Sequence, residues 1–152
     1  MTNTANNNGW RPYDLDYYAQ ELVLEFRNTK DVLNESHKMR MTIAYGLERF
    51  WGEHLRLEKE KPDKAKYWLA VWKKLHEILG DAGVTLPNDN VKSSLSDKDP
   101  KKKEEEKQKI KKMAKDLWSM SLADQRVALM VLTQLCDSLV WWTQRYKVND
   151  PK

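Results

Sequence analysis

The sequence predicts an all-α protein, a single domain over residues 1–152 that folds as a bundle of about five helices. Apolar residues recur with the 3.6-residue period of an α-helix, and no convincing apolar/polar alternation indicates a strand. Glycine and proline are scarce, five of each among 152 residues, and they fall at the breaks between periodic segments. A chain of this length can build a hydrophobic core without disulfides or metal.

The first two helices are predicted from apolar stripes. Residues 14–33 form the first helix, whose stripe consists of Leu15, Tyr18, Ala19, Leu22 and Phe26. The second helix is expected to follow Asn34 or Ser36, either of which could cap it, and to continue to about Leu57. Its apolar face consists of Ile43, Ala44, Leu47, Phe50, Trp51 and Leu55.

The third helix is predicted from Pro62, which suits a first helical turn, to Gly80. Residues 80–100 are rich in Gly, Asp, Asn, Ser and Pro and break every periodicity, so we expect a flexible loop. A fourth helix should cover about residues 101–119. Its first half, KKKEEEKQK, has no apolar face and is expected to project into solvent, whereas its second half should pack through a stripe that includes Trp118.

The last helix is predicted to begin after Ser121, with Asp124 completing a capping-box-like pair, and to run to about Lys147. It ends in CDSLVWWTQRYK, where adjacent tryptophans cannot both face one core. A helical wheel turns Trp142 inward and leaves Trp141 on the polar arc with Arg145. Three explanations of an outward Trp141 stay open: packing under a loop or the N-terminal tail, anchoring a protein interface, or stacking on a base or ribose. The predicted interface residues are Trp141, Met130 and Arg126.

The second helix carries a basic ridge opposite its apolar arc. The ridge consists of Lys38, Thr42, Tyr45, Arg49, Gly52 and Arg56. Such a ridge could follow a phosphate backbone, with Tyr45 offering a stacking surface, or it could be an ordinary solvated face. Arg40 falls inside the apolar arc, so we expect it to extend outward along its stem or to hold a buried carboxylate or a phosphate.

Composition favours a protein of the cytoplasm with no membrane partner. Residues 1–12 are polar and Asn-rich, which predicts a disordered tail and no signal peptide, and no apolar stretch approaches the roughly 20 residues of a membrane span. The single cysteine forms no intrachain disulfide and fits a reducing compartment. The net charge is +4; residues 101–152 hold 12 basic and 7 acidic groups, so the C-terminal third is the better candidate to meet an anionic partner.

No catalytic, metal-binding or cofactor-binding pattern is visible. The three histidines, His37, His54 and His76, are widely separated, and neither a Gly-rich phosphate loop nor a nucleophile elbow occurs. Cys136 lies on the apolar shoulder of the last helix and is interpreted as a small core residue. The sequence therefore predicts a protein that is not an enzyme, with no cofactor and no metal.

Two stretches resemble the small helical subunit of type III CRISPR effector complexes. SHKMRMTIAYGL (36–47) is similar to the second helix of that family, and LADQRVALMVLTQLCDSLVWWTQRYK (122–147) is similar to its last helix. The resemblance implies a non-catalytic subunit that stacks with copies of itself as a short filament against the backbone and large subunits. It also implies contacts to guide RNA and target RNA through basic side chains, here Lys38, Arg40, Arg145 and Lys147.

Two functions of different classes therefore stand at the level of sequence. The first is an RNA-contacting subunit of a ribonucleoprotein, with Tyr45, Arg49 and Arg56 added from the helical wheel. The second is a helical adaptor or regulator that binds only protein, with Trp141 as its anchor.

Overall fold

The structure, a computed structural model, describes residues 12–148, with side chains from residue 14. This part of the chain contains α-helices, one short 3-10 turn and no strand, which confirms the all-α class. The helices are α1 (Pro12–Phe26), α2 (Glu35–Thr42), α3 (Leu47–Leu57), α4 (Pro62–Asp81), α5 (Lys101–Trp118) and α6 (Leu122–Tyr146), and the 3-10 turn is Ile43–Tyr45. The predicted disordered tail lies outside the described residues except for Pro12, at which α1 begins.

The first helix is shorter than predicted, because it ends at Phe26 and not at Leu33. The amide of Thr29 donates to the carbonyl of Phe26, so the chain leaves the helix in a tight turn. Asn28 and Thr29 explain this ending, since their short polar side chains compete with helical hydrogen bonds. The turn returns the chain to the core, where Leu33 is buried.

The predicted second helix is two helices, so the described residues contain six α-helices where about five were predicted. Gly46 separates the 3-10 turn from α3 with φ of 99° and ψ of 170°, a conformation open almost only to glycine. A continuous helical wheel over residues 36–57 consequently does not describe the molecule. The basic ridge drawn on that wheel is divided at the glycine.

Helices α4 and α6 each contribute more buried apolar side chains to the core than any other helix. α6 packs against α1, α2, α3 and α4, and α4 also packs against α3. The largest fully buried side chains on α4 are Tyr67, Trp68 and Trp72. Phe50 of α3 lies between the two tryptophans, with ring centroids 4.9 Å from Trp68 and 6.1 Å from Trp72. The core is therefore largely aromatic at the α3–α4 contact.

The ends of α4 and α6 follow the sequence signals. Pro62 occupies the first turn of α4, where its missing amide hydrogen costs nothing. Ser121 caps α6, and its hydroxyl oxygen accepts the amide of Asp124 at 3.1 Å. These two features confirm the predicted starts of both helices.

The segment between α4 and α5 has no regular secondary structure, as predicted, but its side chains pack. Leu86 is fully buried and Val91 is buried. The indole of Trp72 donates to the carbonyl of Pro87 at 3.0 Å, and the amide of Ser93 donates to Glu106 of α5 at 2.8 Å. The first half of α5 thus holds this segment through polar contacts. The flexibility of residues 80–100 stays a prediction.

The junction of α5 and α6 departs from its predicted packing. Trp118, expected to pack, is 68 % exposed, and Leu122 at the start of α6 is exposed as well. Among residues 12–148, no helix combines the length and the apolar composition that crossing a membrane requires.

Candidate binding surface on the second and last helices

The adjacent tryptophans of α6 face different environments, as predicted. Trp141 is 47 % exposed, whereas Trp142 is half-buried against the core. Trp142 stacks on Tyr146 with ring centroids 5.2 Å apart, and Trp141 meets Trp142 edge-on at 4.7 Å. The inward tryptophan therefore supports the outward one, and it lies at the margin of the core and not in its centre.

Trp141 is covered on one side by a cation from its own helix. The Cζ atom of Arg145 lies 3.4 Å from the centre of the Trp141 ring, and Nη1 donates to the Trp141 carbonyl at 3.0 Å. Spacing of four residues places both side chains on one face of α6. The result is an exposed aromatic plane that carries a guanidinium, an arrangement suited to cation–π contacts and to stacking.

Arg40 of α2 reaches the same face of α6. Its Nε donates to Asp137 at 2.6 Å, and both side chains are exposed. Asp137 lies one turn before Trp141, so this pair borders the Trp141–Arg145 pair. Of the predicted roles for Arg40, extension along its stem is the one the structure shows, and its partner carboxylate is exposed and not buried.

Met130 and Arg126 continue this face toward the start of α6. Both are exposed, and their spacing of four residues repeats that of Trp141 and Arg145. We call the exposed stripe formed by Arg126, Met130, Asp137, Trp141 and Arg145 the α6 outer face. The three predicted interface residues all lie on it.

Lys38 has a structural partner that the sequence did not reveal. Its ammonium lies 3.3 Å from Oε2 of the buried Glu35, and Lys64 of α4 lies 3.5 Å from the same oxygen. The other carboxylate oxygen accepts the indole N–H of Trp68 at 3.0 Å. Burial by itself raises the pKa of Glu35, but the Trp68 hydrogen bond and the two ammonium charges outweigh it, so this pKa lies below its usual value. The positive charge of Lys38 is therefore partly neutralised by a carboxylate of the same protein.

A buried chain of hydroxyl groups fixes α2 against α4 and α6. The Ser36 hydroxyl lies 2.7 Å from that of Tyr67 and 3.0 Å from that of Thr143. Burial raises the pKa of Tyr67, which therefore stays protonated as a hydrogen-bonding group. This network holds α2, and with it Arg40, in a set position beside the α6 outer face.

The remaining residues of the predicted ridge are split by Gly46. Tyr45 precedes the break and is 69 % exposed. Arg49 and Arg56 follow it on α3. Arg49 is exposed, and Nε and Nη2 of Arg56 make three hydrogen bonds to the carboxylate of Glu53 at 3.0–3.2 Å. Arg49 is the ridge cation whose charge meets no carboxylate partner within residues 14–148.

Lys147 lies apart from Arg145, next to the turn after α1. Its ammonium donates to Oδ1 of Asn34 at 3.2 Å. Arg27 and Lys30 of the same turn line a pocket together with Lys147. Sequence reasoning missed both residues because it continued α1 through them, although the neighbouring Asn28 and Thr29 are a signal for a helix end.

The described residues contain no group of three or more His, Cys, Asp or Glu side chains arranged to hold a metal ion. Cys136 is fully buried, and burial raises the pKa of its thiol, so it is protonated and shielded from reagents. His54 is buried on α3, where Nδ1 lies 2.5 Å from the Trp51 carbonyl and must donate to it. Both residues act as core groups.

Comparison of the chain with protein-family models, with curated proteins and with solved structures gave no match.

Proposed function

We propose that this chain is a non-catalytic, single-domain helical subunit of a cytoplasmic RNA-guided complex of the type III CRISPR kind. In this proposal it packs against backbone and large subunits, stacks with its own copies, and contacts guide and target RNA. The observation that carries it is the Arg145 guanidinium over the exposed Trp141 ring. An exposed aromatic plane with an attached cation offers both the stacking surface and the positive charge that single-stranded RNA binds.

The charge around this pair supports an anionic partner. Arg126 and Arg145 of the α6 outer face meet no carboxylate within ion-pair distance in the part of the chain that the structure describes. Arg49 on α3 likewise has no carboxylate within ion-pair distance among the described residues. Their charges are therefore available to phosphates, and Arg40 becomes available if a phosphate replaces Asp137 as its partner.

A second candidate, a helical adaptor that binds only protein, is favoured by a different set of observations. Met130 and Trp141 are exposed on the α6 outer face, and aromatic side chains with Met and Arg are enriched at protein interfaces. Three predicted RNA contacts, Lys38, Arg40 and Arg56, already have carboxylate partners. The two candidates differ in whether RNA is retained.

The deciding experiment is a pull-down of the tagged protein from its native cell, with bound nucleic acid and proteins identified before and after nuclease treatment. The ribonucleoprotein proposal predicts co-purified RNA together with several protein subunits. Recovery of one protein partner without RNA in the untreated sample would overturn the proposal and support the adaptor. A copy carrying Trp141→Ala and Arg145→Ala should lose the RNA or its neighbouring subunit, whereas Lys111→Gln on the exposed face of α5 should lose neither.

Salt dependence tests the cations individually. We expect Arg49→Gln and Arg145→Gln each to lower the magnitude of the log–log salt slope of RNA binding by about 1, as the loss of one phosphate contact does. Lys111→Gln is the matched control, because it removes one exposed charge away from both surfaces. Unchanged slopes in both arginine variants would exclude these residues as phosphate contacts.

A further inference from the structure

A pocket of about 240 Å³ lies between the turn after α1 and the end of α6. Its lining is mainly polar and consists of Arg27, Asn28, Thr29, Lys30, Asp31, Leu33, Asn34, Lys147 and Val148. Three of these side chains are basic and one is acidic, which gives a net charge of +2 around one small cavity. A concave site with one dominant sign of charge focuses its field and concentrates ions of the opposite sign.

Arg27 is the residue that distinguishes this pocket from a solvated charged surface. Its Nε is shielded from solvent and has no hydrogen-bond partner among the described residues. Its Cζ lies 5.7 Å from the ring centre of Tyr146, and the Tyr146 hydroxyl accepts the side-chain amide of Gln20 at 3.1 Å. The guanidinium is thus positioned by an anchored aromatic ring while one of its donors is unsatisfied. An Nε that a water molecule cannot reach is also closed to a ligand oxygen, so the donors that Arg27 offers to the pocket are the terminal N–H groups of its guanidinium.

Two lysines add further donors to the lining of the pocket. Lys147 is held by Asn34 through one of its three ammonium hydrogens, so further hydrogens remain for a ligand. Lys30 is exposed at the rim of the pocket. A planar guanidinium with two ammonium groups matches an acceptor that has three oxygens and more than one negative charge.

We propose that this pocket is a binding site for a phosphate group, with Arg27, Lys30 and Lys147 as its cationic ligands. A phosphate monoester supplies up to two charges and three terminal oxygens, whereas a carboxylate supplies one charge and two oxygens. The group can come from a free phosphate compound or from the 5′ end of an RNA strand. The site lies away from the α6 outer face, and its binding of phosphate does not depend on the proposed RNA-guided function.

Calorimetric titration of the full chain tests the site, with 5′-AMP and inorganic phosphate as probes and adenosine as the uncharged control, all at constant ionic strength. We expect one saturable site for AMP and for phosphate, and none for adenosine. Amide NMR spectra recorded alongside should show the largest shifts at Thr29, Lys30 and Asn34. Absence of saturation, or shifts centred elsewhere on the protein, would overturn the proposal.

Variants of the turn separate the pocket from a general charge effect. Arg27→Gln and Lys30→Gln should each weaken phosphate binding about tenfold, as the loss of a hydrogen bond from a charged donor does. Lys111→Gln removes an equal charge on α5 and should leave the affinity unchanged. Asp31→Asn should tighten binding, and since Asp31 has φ of 62°, a region that asparagine tolerates well, its backbone is not strained by the change. The exposed Lys30 keeps the test decisive if Arg27→Gln fails to fold, and an unaltered affinity in Lys30→Gln would count against the pocket.

The source of the phosphate is resolved with one RNA sequence carrying either a 5′ phosphate or a 5′ hydroxyl. Tighter binding of the phosphorylated strand, lost in Lys30→Gln, assigns the site to an RNA end. Equal binding of both strands with retained AMP binding assigns it to a free phosphate compound. RNA binding without any AMP or phosphate binding would overturn the pocket while leaving the proposed function standing. Binding of AMP or phosphate without any RNA binding would support the pocket and count against the proposed function.

Discussion

The guanidinium of Arg145 lies 3.4 Å above the indole of Trp141, and the two residues are one helical turn apart on the exposed side of α6. A tryptophan in this position needs no covering loop, because its own helix shields one side of the ring and leaves the other half in solvent. The adjacent Trp142 contacts the Trp141 ring edge-on from the core side of the helix. The surface is therefore built in advance of any partner, which lowers the entropy cost of binding.

The two tryptophans should differ in their contribution to stability. We expect Trp141→Ala to change the free energy of unfolding by no more than about 1 kcal/mol, as for an exposed side chain. Trp142→Ala should cost roughly 2–3 kcal/mol, below the range for a fully buried tryptophan, because Trp142 is only half-buried. Urea denaturation of both variants measures the difference. Equal losses would show that the assignment of the two faces is wrong.

The Arg40–Asp137 pair separates the two candidate functions. Both partners are exposed, so a double-mutant cycle with Arg40→Gln and Asp137→Asn should give a coupling energy of only about 0.2–1 kcal/mol. If RNA contacts this face, Asp137→Asn should raise RNA affinity, since it frees Arg40 and removes a charge that repels phosphate. Fluorescence anisotropy with a labelled RNA measures this. An adaptor that binds only protein shows no such gain.

Glu35 should make the fold sensitive to acid. Its folded-state pKa lies below its ordinary value, so its stabilising contribution is complete above the ordinary pKa and is lost as pH falls through the folded-state pKa. Glu35→Gln keeps an acceptor for the Trp68 indole but removes the titrating charge. The free energy of unfolding, measured from pH 6 to pH 3, should therefore fall less steeply in Glu35→Gln than in the parent. Glu25→Gln, on the exposed side of α1, is the control and should retain the parental slope.

His54 should make the free energy of unfolding depend on pH in a higher pH range than Glu35 does. Burial lowers its pKa from the ordinary 6.5, although the Trp51 carbonyl and the Glu58 charge act in the opposite direction. Below pH 6.5 the unfolded chain binds a proton that the folded protein does not, so stability should decrease from pH 7.5 to pH 5.5. His54→Gln should flatten this decrease, whereas His37→Gln at an exposed position of α2 should leave it intact. If the free energy of unfolding depended on pH in the same way in the parent and in His54→Gln, the lowered pKa of His54 would be contradicted.

The sequence predicted the helices wherever periodicity and end signals agreed, as at Pro62 and Ser121. It failed where a local signal competed with a continuing stripe. The first helix ends before the polar residue Asn28, although apolar residues beyond the helix end are still buried. At Gly46 the apolar stripe continues, but the chain changes direction. The outward position of Trp141 followed from the wheel, since it depends on one uninterrupted helix. The partner of Arg40 could not be found from the sequence because Asp137 lies on another helix. The partner of Lys38 could not be found because Glu35 is buried only in the tertiary fold.

The break at Gly46 is tested with the two glycines of this region. Gly46 has φ of 99° and ψ of 170°, so a side chain there is strained although no atom lies within 4 Å of an added Cβ. Gly46→Ala should therefore destabilise the protein by about 1–3 kcal/mol. Gly52 lies inside α3, where an added Cβ would be 3.9 Å from the nearest atom, and Gly52→Ala should stabilise the protein by about 0.5–1 kcal/mol through helix propensity. Urea denaturation of the matched pair measures both signs. One continuous helix over residues 36–57 would make both substitutions stabilising, so the sign at Gly46 decides between two helices and one.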